Sequence, residues 1–110
     1  MEISIENVNG VVVIVLKGRL NISTTAGLED TFNKLLGESQ KKIVVECREL
    51  EYISSAGLRV LLMAAKQFKK VSGEIALSSL TPNVKQVFEI SGFTSIFPIY
   101  STQDEAVKAM

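Results

Sequence analysis

The sequence predicts a single α/β domain built on a mixed β-sheet, and three observations lead to this fold class. The chain opens with two strand-like segments around Asn9-Gly10, a turn signal typical of a β-hairpin. Amphipathic helical segments then alternate with short apolar runs, which favours parallel strands joined by right-handed crossover helices. A chain of 110 residues suffices for one hydrophobic core but is short for two, so residues 1–110 are predicted to form one domain.

The composition is that of a globular protein and narrows the classes of function. Hydrophobic residues make up 46% of the chain, and twelve basic residues balance twelve acidic ones, so no net field favours nucleic acid. The apolar runs are far shorter than the ~20 residues of a membrane-spanning helix, and residues 1–6 do not resemble a signal peptide. The only cysteine, Cys47, cannot form an internal disulfide and is predicted to be a small buried residue. These features predict a cytoplasmic protein without a membrane segment.

The first predicted elements are two strands. Ile3 and Ile5 alternate with polar residues, which is typical of a half-buried strand. The segment from Val11 to Leu16 is almost continuously apolar and β-branched, as in a strand covered on both faces. The segment from Gly18 to Asn21 ends this second strand.

A helix and a third strand follow. Ser23, Thr24 or Thr25 can cap the helix, and Gly37 is predicted to end it. Its core-facing residues fall at helical spacing: Leu28, Phe32, Leu35 and Leu36. The next apolar run, from Ile43 to Val45, predicts a buried strand that ends near Glu46 and Cys47.

The next helix is the most apolar in the chain and carries two rows of apolar residues. The first row indicates a stripe that faces the core: Leu58, Leu61, Leu62, Ala65 and Phe68. The second row either packs inside as well or forms part of a partner surface: Val60, Met63 and Ala64. Basic residues lie along one edge: Arg59, Lys66 and Lys70.

The last third of the chain predicts two more strands and two short helices. Glu74 to Leu77 forms a strand, and Thr81-Pro82 begins a helix, with threonine as the cap and proline in the first turn. This helix turns three apolar residues inward: Val84, Val87 and Phe88. The strand from Ile96 to Tyr100 contains Pro98, which demands an edge position. Thr102 to Glu105 has the spacing of a capping box and starts the last helix.

Two adjacent hydroxyls, Ser54 and Ser55, precede the apolar helix. A helix N-terminus presents unpaired N–H groups and a partial positive charge, so a serine there can act as the cap. The same position suits a phosphoryl group. Capping is the more common role, and the residue types alone leave both open.

This segment resembles the signature of STAS domains, the fold shared by anti-sigma factor antagonists and the cytosolic ends of sulfate transporters: Tyr52-Ile53-Ser54-Ser55-Ala56-Gly57-Leu58. Lys17 to Asn21 resembles the earlier Gly-acidic-aliphatic-Asp turn of the family. Later landmarks are similar as well: Leu77 to Pro82, Phe93 to Phe97 and Thr102 to Ala106. The resemblance implies a mixed five-stranded sheet with an antiparallel N-terminal edge strand and four parallel strands in chain order. Because functional turns gather at the carboxyl ends of parallel strands, Gly18 to Asn21, Tyr52 to Gly57 and Ser78 to Asn83 are expected to meet.

The resemblance also implies a function. It suggests a non-enzymatic partner-switch protein that binds a serine-kinase anti-sigma factor or a related ATP-binding regulator, and it allows a PP2C-type phosphatase as a further partner. Aligning Gly57-Leu58 with the family places the phosphorylated serine at Ser55. The expected partner-binding residues are Asn21, Ser54, Ser55, Ala56, Gly57, Arg59 and Met63. The sequence departs from the family at Ser54 and Asn21, where relatives frequently carry Asp.

The sequence offers little support for catalysis. It contains no histidine, which excludes a Ser-His-Asp triad and any metal centre that depends on imidazole. It has no glycine-rich phosphate loop and no paired carboxylates, so no cofactor, metal or catalytic residue is predicted. The alternative function is a STAS-type scaffold subunit of a lipid-transport or signalling complex, without phosphorylation. A more distant alternative is a small-molecule or nucleotide-binding enzyme that uses the same turn.

Overall fold

One five-stranded sheet organises the chain, and the computed structural model describes all of residues 1–110. The strands are β1 (Glu2–Val8), β2 (Val11–Leu20), β3 (Lys42–Ile53), β4 (Glu74–Ser78) and β5 (Ile99–Tyr100). The helices are α1 (Thr25–Gly37), α2 (Ser55–Lys70), α3 (Pro82–Ile90) and α4 (Gln103–Ala109), and a single 3-10 turn spans Phe93–Ser95. None of the helices is long and apolar enough to span a membrane.

The strand order confirms the predicted α/β architecture. The order is β1-β2-β3-β4-β5, with β1 antiparallel to β2 and the remaining pairs parallel. Asn9 and Gly10 have φ of 54° and 81°, as a tight hairpin turn requires, and they join β1 to β2. β5 lies at the free edge, as predicted, but it has only the two residues Ile99 and Tyr100, so the predicted strand from Ile96 was too long and Pro98 precedes the strand.

The central strands are longer than their apolar runs predicted. β2 continues through Lys17 and Arg19 to Leu20, and β3 continues to Ile53, because the two strands keep pairing with each other. The register shifts twice along this extension, and Gly18, at φ 111°, lies at the second shift. The β2–β3 pair therefore forms a two-stranded ribbon that extends beyond β4.

This ribbon corrects the prediction that three segments meet at one edge. Leu20 pairs with Ile53, so the segments after β2 and β3 do lie side by side. β4, however, ends at Ser78, which pairs with Glu46 well before the end of β3. The segment from Ser78 to Asn83 contacts the ribbon before its end, at Leu50, where the Thr81 hydroxyl donates to the Leu50 carbonyl oxygen at 3.5 Å. This hydroxyl makes no cap bond, although Thr81 is the N-cap of α3.

The main core lies between the sheet and the layer formed by α1, α2 and α3. Phe32 of α1 and Phe68 of α2 meet edge to face, with ring centroids 6.2 Å apart. Leu61 is fully buried, which confirms the predicted inner face of α2. A smaller cluster on the other sheet face packs under α4: Val11, Val13, Val44, Ala106 and Val107. The sheet is thus covered by three helices on one face and by one short helix on the other.

The edge strand β1 is more exposed than predicted. Ile3 is half-buried and packs toward α1, but Ile5 is 45% exposed. The helical layer reaches the start of β1 and leaves the rest of its core-side residues uncovered. Cys47 is buried as predicted, and burial raises the pKa of its thiol, with the negative charge of Glu46 acting in the same direction.

Candidate functional site

The candidate site lies where the ribbon ends and α2 begins. The backbone N–H of Ser54 donates to the Leu20 carbonyl oxygen at 2.9 Å. This bond continues the β2–β3 pairing by one residue and brings the serines next to Asn21. The structure thus places the first two predicted site segments together, because β2 and β3 stay paired up to Leu20 and Ile53.

Ser54 is the cap of α2. Its backbone is extended, at φ −93° and ψ 173°, and its hydroxyl oxygen accepts a hydrogen bond from the Gly57 N–H at 3.2 Å. Its carbonyl oxygen accepts the first helical bond, from the Leu58 N–H at 2.9 Å. A hydroxyl that occupies this position satisfies one of the free N–H groups at the helix end. The capping role predicted for one of the two serines therefore falls on Ser54.

The Ser55 hydroxyl, unlike that of Ser54, has no structural role in the helix cap. It is the first residue of α2, it is exposed, and its hydroxyl makes no hydrogen bond within the protein. It lies at the positive end of the helix dipole, and the first turn of α2 contains no acidic residue. Ala56, the next residue, is half-buried. Of the two hydroxyls, the one on Ser55 is open to a reagent from solvent.

Gly57 sets how closely α2 approaches the ribbon. It is buried, and a Cβ atom at this position would lie 2.9 Å from both Ile53 Cγ1 and Leu20 Cγ. Atoms that close would have to move apart, so a residue with a side chain would push the helix mouth away from β2 and β3. Gly57 belongs to the site as a packing residue and presents little surface of its own.

Asn21 is a structural residue of the neighbouring turn. Its side-chain Oδ1 accepts from the Ser23 N–H at 2.9 Å, and its backbone N–H donates to the Thr24 hydroxyl oxygen, also at 2.9 Å. The Thr24 hydroxyl in turn donates to the Arg19 carbonyl oxygen at 2.8 Å. Thr24 is the N-cap of α1 but makes no side-chain cap bond, because its hydroxyl is engaged in this turn. These bonds hold the loop after β2 beside the serines.

Three exposed apolar or aromatic side chains belong to the site elements, and only Met63 was predicted from the sequence as a partner-binding residue. Ile22 is 79% exposed, Met63 is 49% exposed and Tyr52 is 41% exposed. The Arg19 guanidinium carbon lies 4.4 Å from the centre of the Tyr52 ring, in a cation–π contact across the β2–β3 pair. Ile22 could have been noticed as a large apolar residue without a place in either neighbouring element. The Arg19–Tyr52 contact could be predicted only with knowledge of the register between β2 and β3.

The exposed face of α2 continues this surface. Ser55, Arg59 and Met63 follow one another at four-residue spacing, so they lie on neighbouring turns of one helix face. Met63 also lines a small groove of about 100 Å³ between α1 and α2, together with Glu29. Val60 and Ala64 are buried, so the second apolar row of α2 is divided between core and surface. No group of three or more Cys, Asp or Glu residues is arranged to hold a metal ion.

The mixed sheet in chain order, with a serine turn opening its most apolar helix, has the architecture of the STAS domain. The chain belongs to the STAS domain family, whose sequence profile matches residues 2–106. The resemblance carried by the serine turn is thereby confirmed.

Relatives agree over nearly the full length of the chain. A protein of Bordetella bronchiseptica described as a candidate anti-sigma factor antagonist, BtrV, is 38% identical over 99% of this chain and 94% of its own. The anti-sigma F factor antagonist of Paenibacillus polymyxa is 28% identical over 97% of this chain and 92% of its own. The crystal structure of a candidate anti-sigma factor antagonist from Thermotoga maritima, 26% identical, superposes with a TM-score of 0.92 over 97% of this chain and 92% of its own. All three relatives are described as anti-sigma factor antagonists, a class of regulatory protein.

Proposed function

We propose that this protein is a non-enzymatic anti-sigma factor antagonist that acts as a partner switch at Ser55. Unmodified, it docks on a serine-kinase anti-sigma factor or a related ATP-binding regulator. Phosphorylation of Ser55 ends that docking, and a PP2C-type phosphatase restores it. The observation that carries the proposal is the exposed, unbonded Ser55 hydroxyl at the mouth of α2, beside a serine whose hydroxyl is already used as the cap.

The geometry favours Ser55 over Ser54 as the phosphoacceptor. A kinase needs a hydroxyl that can enter its active site and lose a proton to a base. Ser55 meets this need without losing any contact in the protein. Ser54 is half-buried, and modifying it would remove the cap bond to the Gly57 N–H, at a cost of about 1 kcal/mol.

The surface around Ser55 has the composition of a docking site. Aromatic residues, methionine and arginine are enriched in protein interfaces, and Tyr52, Met63, Arg19 and Arg59 are all exposed here. Ile22 adds a nearly fully exposed aliphatic side chain. A partner that covers this surface would bury apolar area around the two serines and would place its active site over Ser55.

A phosphoryl group on Ser55 would act mainly on the partner. It adds about −1.5 to −2 charges at pH 7, which the helix dipole and Arg59, four residues along the same face, tolerate locally. Docking would then require desolvation of this charge against the partner's own surface, which opposes binding. Ser54 and Asn21 stand where relatives often carry Asp, so an acidic group that could orient the hydroxyl is missing, and we expect the transfer to be slow.

The same departures favour a second candidate function, a STAS scaffold subunit without phosphorylation. Asn21 Oδ1 is engaged in holding its own turn through the Ser23 N–H. The docking surface of Tyr52, Ile22 and Met63 would serve a permanent partner in a lipid-transport or signalling complex equally well. The two candidates differ in the partner and in whether Ser55 is modified.

The test is to incubate the protein and ATP with the ATP-binding regulators encoded beside it, and to measure the intact mass and the modified residue. We expect one phosphoryl group on Ser55, and a Ser54→Ala variant that still accepts it. Ser55→Ala should bind the partner constitutively, and Ser55→Asp should bind it weakly. Phosphate on Ser54, or on neither serine after prolonged incubation, would refute the switch and leave the scaffold. Stable association without a change in mass would support the scaffold directly.

A further inference from the structure

Arg59 is the first charged side chain of α2 after Ser55. It is exposed, and it lies four residues after Ser55, about one turn further along the same helix face. Side chains at this spacing are neighbours, with Cβ atoms about 5–6 Å apart. The long side chain of Arg59 can therefore reach a group attached to the Ser55 hydroxyl while the helix stays as it is.

The Arg59 guanidinium has no anionic partner in the protein. The one ion pair of the structure joins Lys108 to Asp104 on α4, and α2 contains no aspartate or glutamate. Four residues of the helix lie three or four positions from Arg59: Ser55, Ala56, Leu62 and Met63. Ser55 is the only one of them that can acquire a negative charge by phosphorylation. The helix thus surrounds a free guanidinium with a single position for an anion.

The order of the two residues also favours an ion pair. An anionic residue four positions before a cationic one in a helix interacts better than the reverse order, because both charges then complement the helix dipole. A phosphoryl group on Ser55 would carry about −1.5 to −2 charges and strong acceptor oxygens. The planar guanidinium of Arg59 can donate to two phosphate oxygens at once. Phosphorylated Ser55 and Arg59 are therefore matched in position and in chemistry.

The other cations of the site are less suited to this role. The Arg19 guanidinium carbon already lies 4.4 Å from the centre of the Tyr52 ring, across the β2–β3 pair. The lysines of α2 begin at Lys66, eleven residues beyond Ser55, which is about 16 Å along the helix axis. Arg59 is the cation that combines the short spacing with unoccupied donors.

We propose that the phosphoryl group on Ser55 is bound within the protein by Arg59, and that this pairing withdraws Arg59 from the docking surface. Before phosphorylation, the free guanidinium pairs with a carboxylate of the regulator. After phosphorylation its donors are occupied, so the modification removes an attraction as well as adding a charge. This inference rests on the proposed phosphorylation of Ser55, and it adds the residue that holds the phosphoryl group and the acidic chemistry of the partner.

The first test uses full-length ¹⁵N-labelled protein with phosphoserine installed at position 55 during translation, so it needs no kinase. The chain has three arginines, Arg19, Arg48 and Arg59, and the side-chain Nε–Hε signal of each can be followed in one spectrum. We expect the Arg59 signal to move on phosphorylation and to return toward its original position with added salt. The Arg48 signal is the internal control and should stay in place.

Two variants assign this change. Arg59→Gln removes the moving signal and should leave the Arg19 and Arg48 signals of the phosphorylated protein where they are in the unmodified protein. Lys66→Gln, three turns further along α2, should leave the shift of the Arg59 signal unchanged. An Arg59 signal that does not respond to phosphorylation, or a larger response at Arg19, would overturn the ion pair.

The second test measures docking on the regulator by wild type and Arg59→Gln, each with serine and with phosphoserine at position 55. We expect Arg59→Gln to weaken binding of the unmodified protein by about threefold or more, and to change binding of the phosphorylated protein much less. Lys85→Gln on α3 is the control and should bind like the wild type in both states.

The outcomes separate this inference from the function on which it rests. If Arg59→Gln weakened both states by the same factor, phosphorylation would not withdraw Arg59, although the switch at Ser55 would stand. If no regulator bound the unmodified protein, the proposed function and the docking part of this inference would both fail. The NMR spectrum would still decide whether Arg59 binds the phosphoryl group.

Discussion

Replacing Gly57 with alanine tests how the site is held against the sheet. The new Cβ would lie 2.9 Å from Ile53 Cγ1 and Leu20 Cγ, and both of these side chains are buried, at 3% and 0% exposure. Neither contact atom is the free end of a flexible chain, so the helix mouth or the strand ends must shift. Overpacking of this kind typically costs about 1–3 kcal/mol.

A second glycine separates this packing cost from the intrinsic effect of alanine. Gly37 lies in the last turn of α1, and a Cβ added there would meet no other atom within 4 Å. Gly37→Ala should therefore be neutral or stabilising by up to about 1 kcal/mol. Both substitutions restrict the unfolded chain in the same way. The difference between the two free energies of unfolding thus reports the crowding at Leu20 and Ile53, and we expect about 1–3 kcal/mol.

Urea or guanidinium melts of the wild type and both variants measure this difference. In a thermal melt, a loss of 1 kcal/mol would lower the midpoint by roughly 4–8 °C for a domain of about this size. If Gly57→Ala were as stable as Gly37→Ala, the close approach of α2 to the ribbon would be disproved. The same result would remove the packing explanation for Gly57 in the site.

Three further predictions concern the core, the docking surface and the cysteine. Leu61→Ala should destabilise the protein by about 2–5 kcal/mol in denaturant melts, since Leu61 is fully buried. A loss below about 1 kcal/mol would show that this face of α2 does not face the core. Arg59→Glu should weaken partner binding most at low salt, whereas the control Lys85→Glu on α3 should bind like the wild type. If Arg59→Glu and the wild type bound with equal affinity at every salt concentration, the docking surface would not include Arg59. Cys47 should resist thiol reagents at pH 8 in the folded protein and react in denaturant, because burial raises its pKa and keeps it protonated; rapid labelling of the native protein would contradict its burial.

The sequence by itself determined the fold class and most of the core. Hydrophobic periodicity is a local property, so the inner faces of α1 and α2 could be assigned from Phe32, Leu61 and Phe68 without knowing their partners. The turn at Asn9-Gly10 and the cap at Thr102, whose hydroxyl accepts from the Glu105 N–H at 3.1 Å, are likewise set by a few adjacent residues. The strand order came from the family resemblance, because spacing does not specify which strands become neighbours.

Only the tertiary structure decided the features that depend on residues distant in sequence. The extension of β2 and β3 through polar residues required their mutual pairing, which no apolar run signals. The bond from the Ser54 N–H to the Leu20 carbonyl oxygen holds the N-terminus of α2 against β2. There the Ser54 hydroxyl caps the helix, and the Ser55 hydroxyl makes no hydrogen bond within the protein. The sequence placed Glu46 only near a strand end, whereas the register pairs it with Ser78 and the assembled sheet buries both residues. Such features follow from strand register and from the reach of each covering helix, which are properties of the assembled sheet and of no single segment.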